Sequence, residues 1–441
     1  MLWYILRITM SFAFPVFFRK LQIKNAKTIR QKGPMFLAMN HPNAFMDPVC
    51  LSWVVYYPRT RYMARGDAFK KGFAAWALQS MGIVPIFRLR DGGFENLKKN
   101  LDSFKVAYKL LDRKQKIMVF AEGICVQERR LRPIQKGTAK MAFTYLEKGK
   151  YDDLKIVPIG VNYSTPSKIR GDLFYEVGEP ILVKDHYEEY KAHPGQAINK
   201  LTALIEEQLG KLVPSLLHKE NDLLIEQLQP ILKKQFIEER HLNFNDLAHH
   251  QQFWNFIIDR LNSLTEKDPG QMIVFRKEVD DYIHQMEQVK VQDDVIRASE
   301  KKQDPANFLS LVLLITAYPF SLLGKILSKA PYYIGERIAR EKVKQIEFFA
   351  SIYFGSSALL AKLFFVIELT IVWFLCHDAC CLLYYTAIKV VSGSIAIAYL
   401  PFKRRVLAAL RLNSIKRSDT ALYQNLAQQR NKILAFIGDL H

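Results

Sequence analysis

Five cysteines in 441 residues (Cys50, Cys125, Cys376, Cys380 and Cys381) are too few and too irregularly spaced for a disulfide framework. Cys380 and Cys381 are too close together to form a zinc pair with His377 alone. A reducing compartment is the simplest setting. Glycine and proline are sparse, at 20 and 18, and no repeat or low-complexity run is present. This excludes collagenous, coiled-coil-only and disordered chains, and a hydrophobic share of 49% is ample for a real core. Acidic residues are in deficit, 43 against 63 basic ones, for a formal net charge of +20. That excess suits a polyanionic partner: nucleic acid, an anionic membrane surface or a phosphorylated substrate. The chain has no recognition helix, finger or aromatic-basic strand motif, and its hydrophobic segments point to membrane rather than nucleic acid.

The first eighteen residues are almost wholly apolar, yet Arg7 interrupts them, Pro15 breaks the run and no small-residue cleavage site follows. With Arg19, Lys20 and Lys24 close behind, residues 1–32 read as an interfacial anchor, with a buried core helix as the alternative. From Phe308 the composition changes, and residues 306–402 form a membrane-associated region. The stretches around 350–376 and 380–400 approach or exceed the ~20 residues that cross a bilayer and read as a hairpin turned at His377-Asp378. Basic flanks, Lys325 to Lys344 on one side and Lys403-Arg404-Arg405 on the other, place both ends of that hairpin in the cytoplasm. Residues 308–324, broken at Pro319, are then re-entrant or interfacial. Lys362 and Glu368 within the hairpin are expected to pair with one another or snorkel. Residues 403–441 read as a basic cytoplasmic tail. Residues 195–305 alternate apolar clusters with charge at helical spacing and show no chemistry; His249, His250 and His284 are assigned to solvated faces.

Residues 33–194 carry the chemistry and read as an α/β domain. Pro34 to Asn40, Arg61 to Arg65, Gly82 to Phe87, Ile117 to Phe120, Ile156 to Tyr163 and Leu173 to Val177 are predicted strands. Phe69, Phe73, Trp76 and Ala77, and then Phe94, Leu97, Leu101, Phe104, Tyr108 and Leu111, have the spacing of two helices packed on that sheet.

Four blocks stand at strand ends. The first is Asn40-His41-Pro42-Asn43-Ala44-Phe45-Met46-Asp47. If the chain turns, Asp47 can accept from one ring nitrogen of His41, so that the other takes a proton from an alcohol; on its own, a turn-capping Asp47 is an equal reading. The second is the apolar strand ending in Arg88, with Arg90 beyond, whose fork matches phosphate oxygens or serves as a surface cation. The third, Glu122-Gly123, sets a carboxylate and a permissive backbone beside the cationic loop of Arg129, Arg130, Arg132 and Lys136. The fourth is Ile156-Val157-Pro158-Ile159, whose proline points to an edge or site-lining strand.

In order and spacing these blocks resemble the glycerolipid acyltransferase family over roughly residues 33–180. Gly178-Glu179-Pro180-Ile181 resembles the segment that closes that domain. The resemblance implies a membrane-bound O-acyltransferase of phospholipid biosynthesis: an αβ domain with an N-terminal membrane-interface helix and a C-terminal helical membrane region. It moves an acyl group from acyl-coenzyme A or acyl carrier protein to glycerol 3-phosphate or 1-acylglycerol 3-phosphate. It implies His41 as base, Asp47 as its orienter, Arg88 as phosphate ligand, and Glu122 and Gly123 as holders of the acceptor, with Arg129, Arg130 and Lys136 adding charge. No metal or cofactor is required, and backbone N–H groups near Gly123 are expected to stabilise the oxyanion. The implied location is a membrane, with the catalytic domain on its cytoplasmic face.

Two departures stand out. Five residues separate His41 from Asp47 where most of the family has four, a spacing similar to a branch with fungal glycerol-3-phosphate and dihydroxyacetone-phosphate acyltransferases. Cys125 stands where the family usually has an arginine. A non-catalytic membrane lipid-binding or scaffold protein on the same fold is the alternative these departures favour.

Overall fold

The computed structural model describes residues 2–55, 60–66, 83–86 and 103–438. The chain divides into two units, Met1–Ser215 with Lys342–Phe354, and Leu216–Glu341 with Gly355–His441.

The first unit opens with helix α1 (Leu2–Phe17), strand β1 (Phe18–Lys24) and helix α2 (Ala26–Arg30). Then come β2 (Met35–Met39), α3 (Met46–Val54), β3 (Thr60–Arg65), β4 (Ile83–Ile86), β5 (Lys116–Phe120) and α4 (Gly137–Lys148). After these follow β6 (Lys155–Tyr163), β7 (Gly171–Val177), β8 (Ile181–Leu182), α5 (Tyr187–Ala192) and α6 (Pro194–Gly210). The strands form one mixed sheet in the order β1-β7-β6-β2-β5-β3-β4, with β8 on β6. β2 is parallel to both β5 and β6, and β5 to β3, so their C-terminal ends emerge along one edge. β2 reads as an unbroken apolar run because it is central and buried throughout. Phe36, Ala38, Ile117 and Val119 pack against Ala139, Ala142 and Phe143 of α4 and Leu201, Ile205 and Leu209 of α6.

All six predicted strands are present. The predicted helix around Phe69 to Ala77 lies outside the described residues, as do Phe94, Leu97 and Leu101 of the next one; residues 103–111 are helical. Four readings need correction. Residues 18–24, assigned to the anchor, form a strand parallel to β7, because Lys20-Leu21-Gln22-Ile23-Lys24 alternates with the period of a sheet. Arg19 pairs with Asp172 and Lys24 with Glu176 across that ladder. α1 continues past Pro15 to Phe17. The boundary drawn at residue 195 falls instead after Ser215, because the apolar face of α6 belongs to the core of the sheet. β6 is no edge: Pro158 lies where its antiparallel partner changes from β8 (at Lys155 and Ile156) to β7 (from Ile159), so the missing N–H interrupts neither ladder.

The second unit is helical: α7 (Asp222–Glu239), α8 (Leu247–Lys267), α9 (Pro269–Gln288), α10 (Asp293–Glu300), α11 (Phe308–Thr316), α12 (Tyr318–Lys342), α13 (Phe349–Cys376), α14 (Ala379–Ser418) and α15 (Thr420–Ile437). Residues 403–441 are no loose tail. Val406, Ala409 and Leu412 of α14 and Leu426, Ile433 and Ile437 of α15, at helical spacing, share one core with α7 to α10. Arg430 of α15 reaches the buried carboxylate of Asp293 at 3.0 Å, where Tyr282 Oη donates at 2.8 Å. His250 is buried rather than solvated and its Nε2 meets the Phe244 carbonyl at 2.9 Å.

Two helices, Ile346–Cys376 and Ala379–Ser418, are long and apolar enough to cross a membrane, and α11 with α12 forms a pair bent by 42°. The hairpin turns at His377, whose φ is 51°, and at Asp378, whose carboxylate caps Cys380 N–H at 2.9 Å. Glu368 does not pair with Lys362: it meets Lys389 of the facing helix, whose ammonium also lies 5.5 Å from the Phe365 ring centroid.

Candidate active site

β2 ends at Met39 and delivers Asn40 and His41 to the sheet edge. The Asn40 side chain bonds both backbone groups of Val161, donating to its carbonyl at 3.1 Å and accepting its N–H at 2.7 Å, which fixes the first residue of the loop on β6. The chain then folds back on itself. Met46 N–H donates to Asn43 O at 2.9 Å, and Ala44 takes a φ of 30°. A left-handed alanine carries a strain of about 1 kcal/mol, and here it lets a five-residue interval close. His41 Nδ1 lies 2.9 Å from Asp47 Oδ2.

Asp47 sits in the first turn of α3 and is fully buried. A buried carboxylate needs donors, and this one has three besides its helix terminus. His41 Nδ1 and Asn43 N–H (2.9 Å) share Oδ2, and Tyr163 Oη donates to Oδ1 at 2.7 Å. Tyr175 Oη adds a 2.8 Å bond to the Asp47 carbonyl. The acceptor on Nδ1 places the ring proton there and leaves the Nε2 lone pair as the basic position. The His41 ring stacks on Phe120 at 3.6 Å between centroids, which sets its plane.

β5 brings the second loop to the same edge. Glu122 is buried and accepts from the His41 backbone N–H at 3.2 Å. Burial pushes its carboxyl up to about 7, against the His41 N–H and the charge and N–H of Arg132, which favour ionisation. The next residue, Gly123, has φ +70°, and a Cβ there would meet Gln135 Cγ at 2.9 Å, so glycine is required. Its N–H is not an oxyanion donor, because it closes a turn on Phe120 O at 3.0 Å. Two bonds stitch the loops together: Val126 N–H to His41 O at 3.2 Å, and Ala44 N–H to Cys125 Sγ at 3.1 Å. Burial, with Asp47 nearby, pushes the Cys125 thiol well up, so it is not a thiolate nucleophile.

The cationic loop divides its work. Arg129 donates to the carbonyls of Tyr163 (3.3 Å) and Ser164, holding the end of β6. Arg130 and Arg132 converge on Glu128, at 3.4 and 2.9 Å. Lys136 is exposed at the start of α4. Arg88 and Arg90 lie outside the described residues. The sequence reading missed Tyr163, Tyr175 and the approach of Arg132 to Glu122. For Tyr163 a signal existed, since it closes a strand whose C-terminal end shares the edge with His41.

An aromatic seam borders the site within this unit. Phe45, between His41 and Asp47, meets Phe348 at 6.0 Å; Phe14 stacks on Phe354 at 5.0 Å and Phe17 lies 5.6 Å from Tyr353. The segment that leads into the first long apolar helix is therefore fastened beside the His41 loop.

A histidine–carboxylate dyad thus stands at the C-terminal edge of a mixed α/β sheet, beside a buried glutamate and a cationic loop. Residues 20–162 match the family model described as Acyltransferase. Among solved structures, the 1-acyl-sn-glycerophosphate (LPA) acyltransferase PlsC from Thermotoga maritima aligns at 14% identity over 48% of this chain and 79% of that one, with a TM-score of 0.34. No curated protein matches the chain.

Proposed function

We propose that the protein is a membrane-bound O-acyltransferase that moves a fatty acyl group from an acyl thioester to the hydroxyl of glycerol 3-phosphate or 1-acylglycerol 3-phosphate. The observation that carries this reading is the closed dyad, with Nδ1 held by a buried carboxylate and Nε2 left as base. Nε2 takes the hydroxyl proton as the oxygen attacks the thioester carbon; the tetrahedral intermediate collapses, the C–S bond breaks, and the imidazolium returns the proton to the leaving sulfur. Glu122 and Arg132 border the acceptor, and Arg88, with the charge of Arg129, Arg130 and Lys136, holds its phosphate. The thioester is already activated, so most of the protein's contribution is to bring donor and acceptor together. In this reading the catalytic unit works on the cytoplasmic face.

The test is transfer of labelled acyl groups by wild type and His41→Ala, offered both acceptors in parallel, with acyl-coenzyme A and acyl carrier protein as donors. A loss of about 10²–10⁴-fold in the variant is expected for a general base. Transfer unchanged in His41→Ala overturns the mechanism. No transfer by wild type from either donor, with lipid still bound, favours the non-catalytic lipid-binding protein.

A further inference from the structure

The helix pair α11–α12 exposes a continuous apolar surface: Phe308 is 82% exposed, Ile315 74% and Ile326 69%, with Phe320, Leu322 and Tyr333 between and beyond them. By length this pair could be a third crossing. Its contacts with the α13–α14 hairpin place it at one depth instead.

Three contacts serve as a ruler along the hairpin, measured from the His377-Asp378 turn. At the joint of the pair, Tyr399 Oη donates to Leu314 O at 2.9 Å, and the Tyr318 and Tyr399 rings are 6.3 Å apart. At about 1.5 Å per residue, Tyr399 is about 32 Å from the turn. Next, Gly324 lies so close to Ser392 that a Cβ would come within 2.1 Å of its carbonyl oxygen. Ser392 is about 21 Å from the turn. Last, Gly335 O accepts from Ser356 Oγ at 3.2 Å. Ser356 is about 32 Å from the turn. At these three contacts the chain stands about 32, 21 and 32 Å from the turn, all within about 11 Å of one level. A crossing helix of 25 residues sweeps about 37 Å of depth, enough to pass the ~30 Å hydrocarbon layer.

We infer that α11–α12 is an interfacial element: it lies in the plane of one leaflet, at the base of the hairpin opposite the turn. Its occupant is the bilayer itself, at the boundary of headgroups and acyl chains. Two features fit that partner. The apolar face runs directly into the lipid-facing surface of the hairpin, where Leu363, Val366 and Val390 are 54–62% exposed. Lys342 at the end of α12 and Lys344 just past it supply cations at phosphate level, as in amphipathic helices bound to a membrane surface. The inference is independent of the catalytic reading. It makes the number of crossings between residue 303 and residue 344 zero.

Full-length Gln303→Cys and Lys344→Cys variants in sealed native vesicles, treated with a membrane-impermeant maleimide and mapped by mass spectrometry, test this directly. Both positions are exposed, and Cys376 and Cys380 at the turn are native markers. Labelling of residues 303 and 344 from one side, with loss of labelling of the turn cysteines from that side, is expected. Labelling of 303 and 344 from opposite sides makes the pair a crossing and overturns the inference. Labelling of the turn cysteines from the same side as both also overturns it, because the hairpin then does not span. Spin labels at Phe320, Ile326 and Tyr333 give a second reading: equal, shallow immersion supports the in-plane element, and immersion that progresses steadily across the bilayer defeats it.

Discussion

Ala44 N–H donates to Cys125 Sγ at 3.1 Å, joining the one left-handed residue of the His41–Asp47 loop to the loop that follows β5. The longer interval needs a backward kink at Ala44, and the thiol is the group that receives its amide. Cys125→Ser, which keeps an acceptor, is therefore expected to retain acyl transfer within a few-fold of wild type. Cys125→Ala strands a buried N–H, at a cost of about 1–3 kcal/mol in stability, and slows transfer by loosening the dyad. Loss of turnover in both variants alike, with folding intact by thermal melting, points instead to chemistry at sulfur.

Tyr163→Phe removes the donor to Asp47 Oδ1 without changing packing. The orphaned oxygen costs about 1–3 kcal/mol. Transfer falls mainly in kcat, with KM nearly unchanged, because the tyrosine touches the carboxylate and not the substrate. Parallel kinetics of Tyr163→Phe and Asp47→Asn check this, with the larger drop in the latter.

The glutamate at the sheet edge gives stability a pH slope of definite sign. Glu122 titrates near 7 in the fold and near its ordinary 4.5 when unfolded. Between those values the folded chain holds a proton the unfolded chain has released, so this group's contribution declines as pH rises from about 4.5 to 7 and is constant beyond. Denaturation of wild type and Glu122→Gln at pH 5 and pH 8 checks it: wild type loses ground relative to the variant at the higher pH. An equal difference at both pH values shows that Glu122 ionises normally.

Between the two long apolar helices, Glu368 and Lys389 face each other across the hairpin. Lys389→Leu or Glu368→Leu alone leaves an uncompensated charge in an apolar layer and is expected to destabilise the detergent-solubilised protein. The double replacement recovers most of the loss. Melting temperatures of the four proteins read out the coupling, and additive losses show that the pair is not a unit.

Much of the sheet was legible because each central strand is an apolar run stopped by a polar or glycine signal, as at Met39-Asn40 and Phe120-Glu122. β1 was not, because its lysines lie at the edge of the sheet and read as the basic border of an anchor. The dyad was legible as two residue types in one loop, whereas the means of closing it was not: the partners of Asp47 come from Tyr163 and Tyr175, over a hundred residues on, and meet it only through β6 and β7. Arg132 rather than its neighbours approaches Glu122 for the same reason, since loop direction is set in three dimensions. Helical spacing in 403–441 was visible, but its basic residues masked a face that packs in the helical core.

The packing of Phe45 against Phe348 leaves no tether between the reactive loop and the start of the first long apolar helix. Under the proposed function, so short a junction makes the search for a lipid partner one of area rather than of volume. In that reading a substrate dissolved in the leaflet meets the loop by lateral diffusion, at a local concentration fixed by membrane composition rather than by cell volume. Product released there remains within the same patch, so repeated encounters precede escape. Inserting a flexible spacer just before Phe348 should therefore weaken turnover on lipid-embedded acceptors while sparing water-soluble ones.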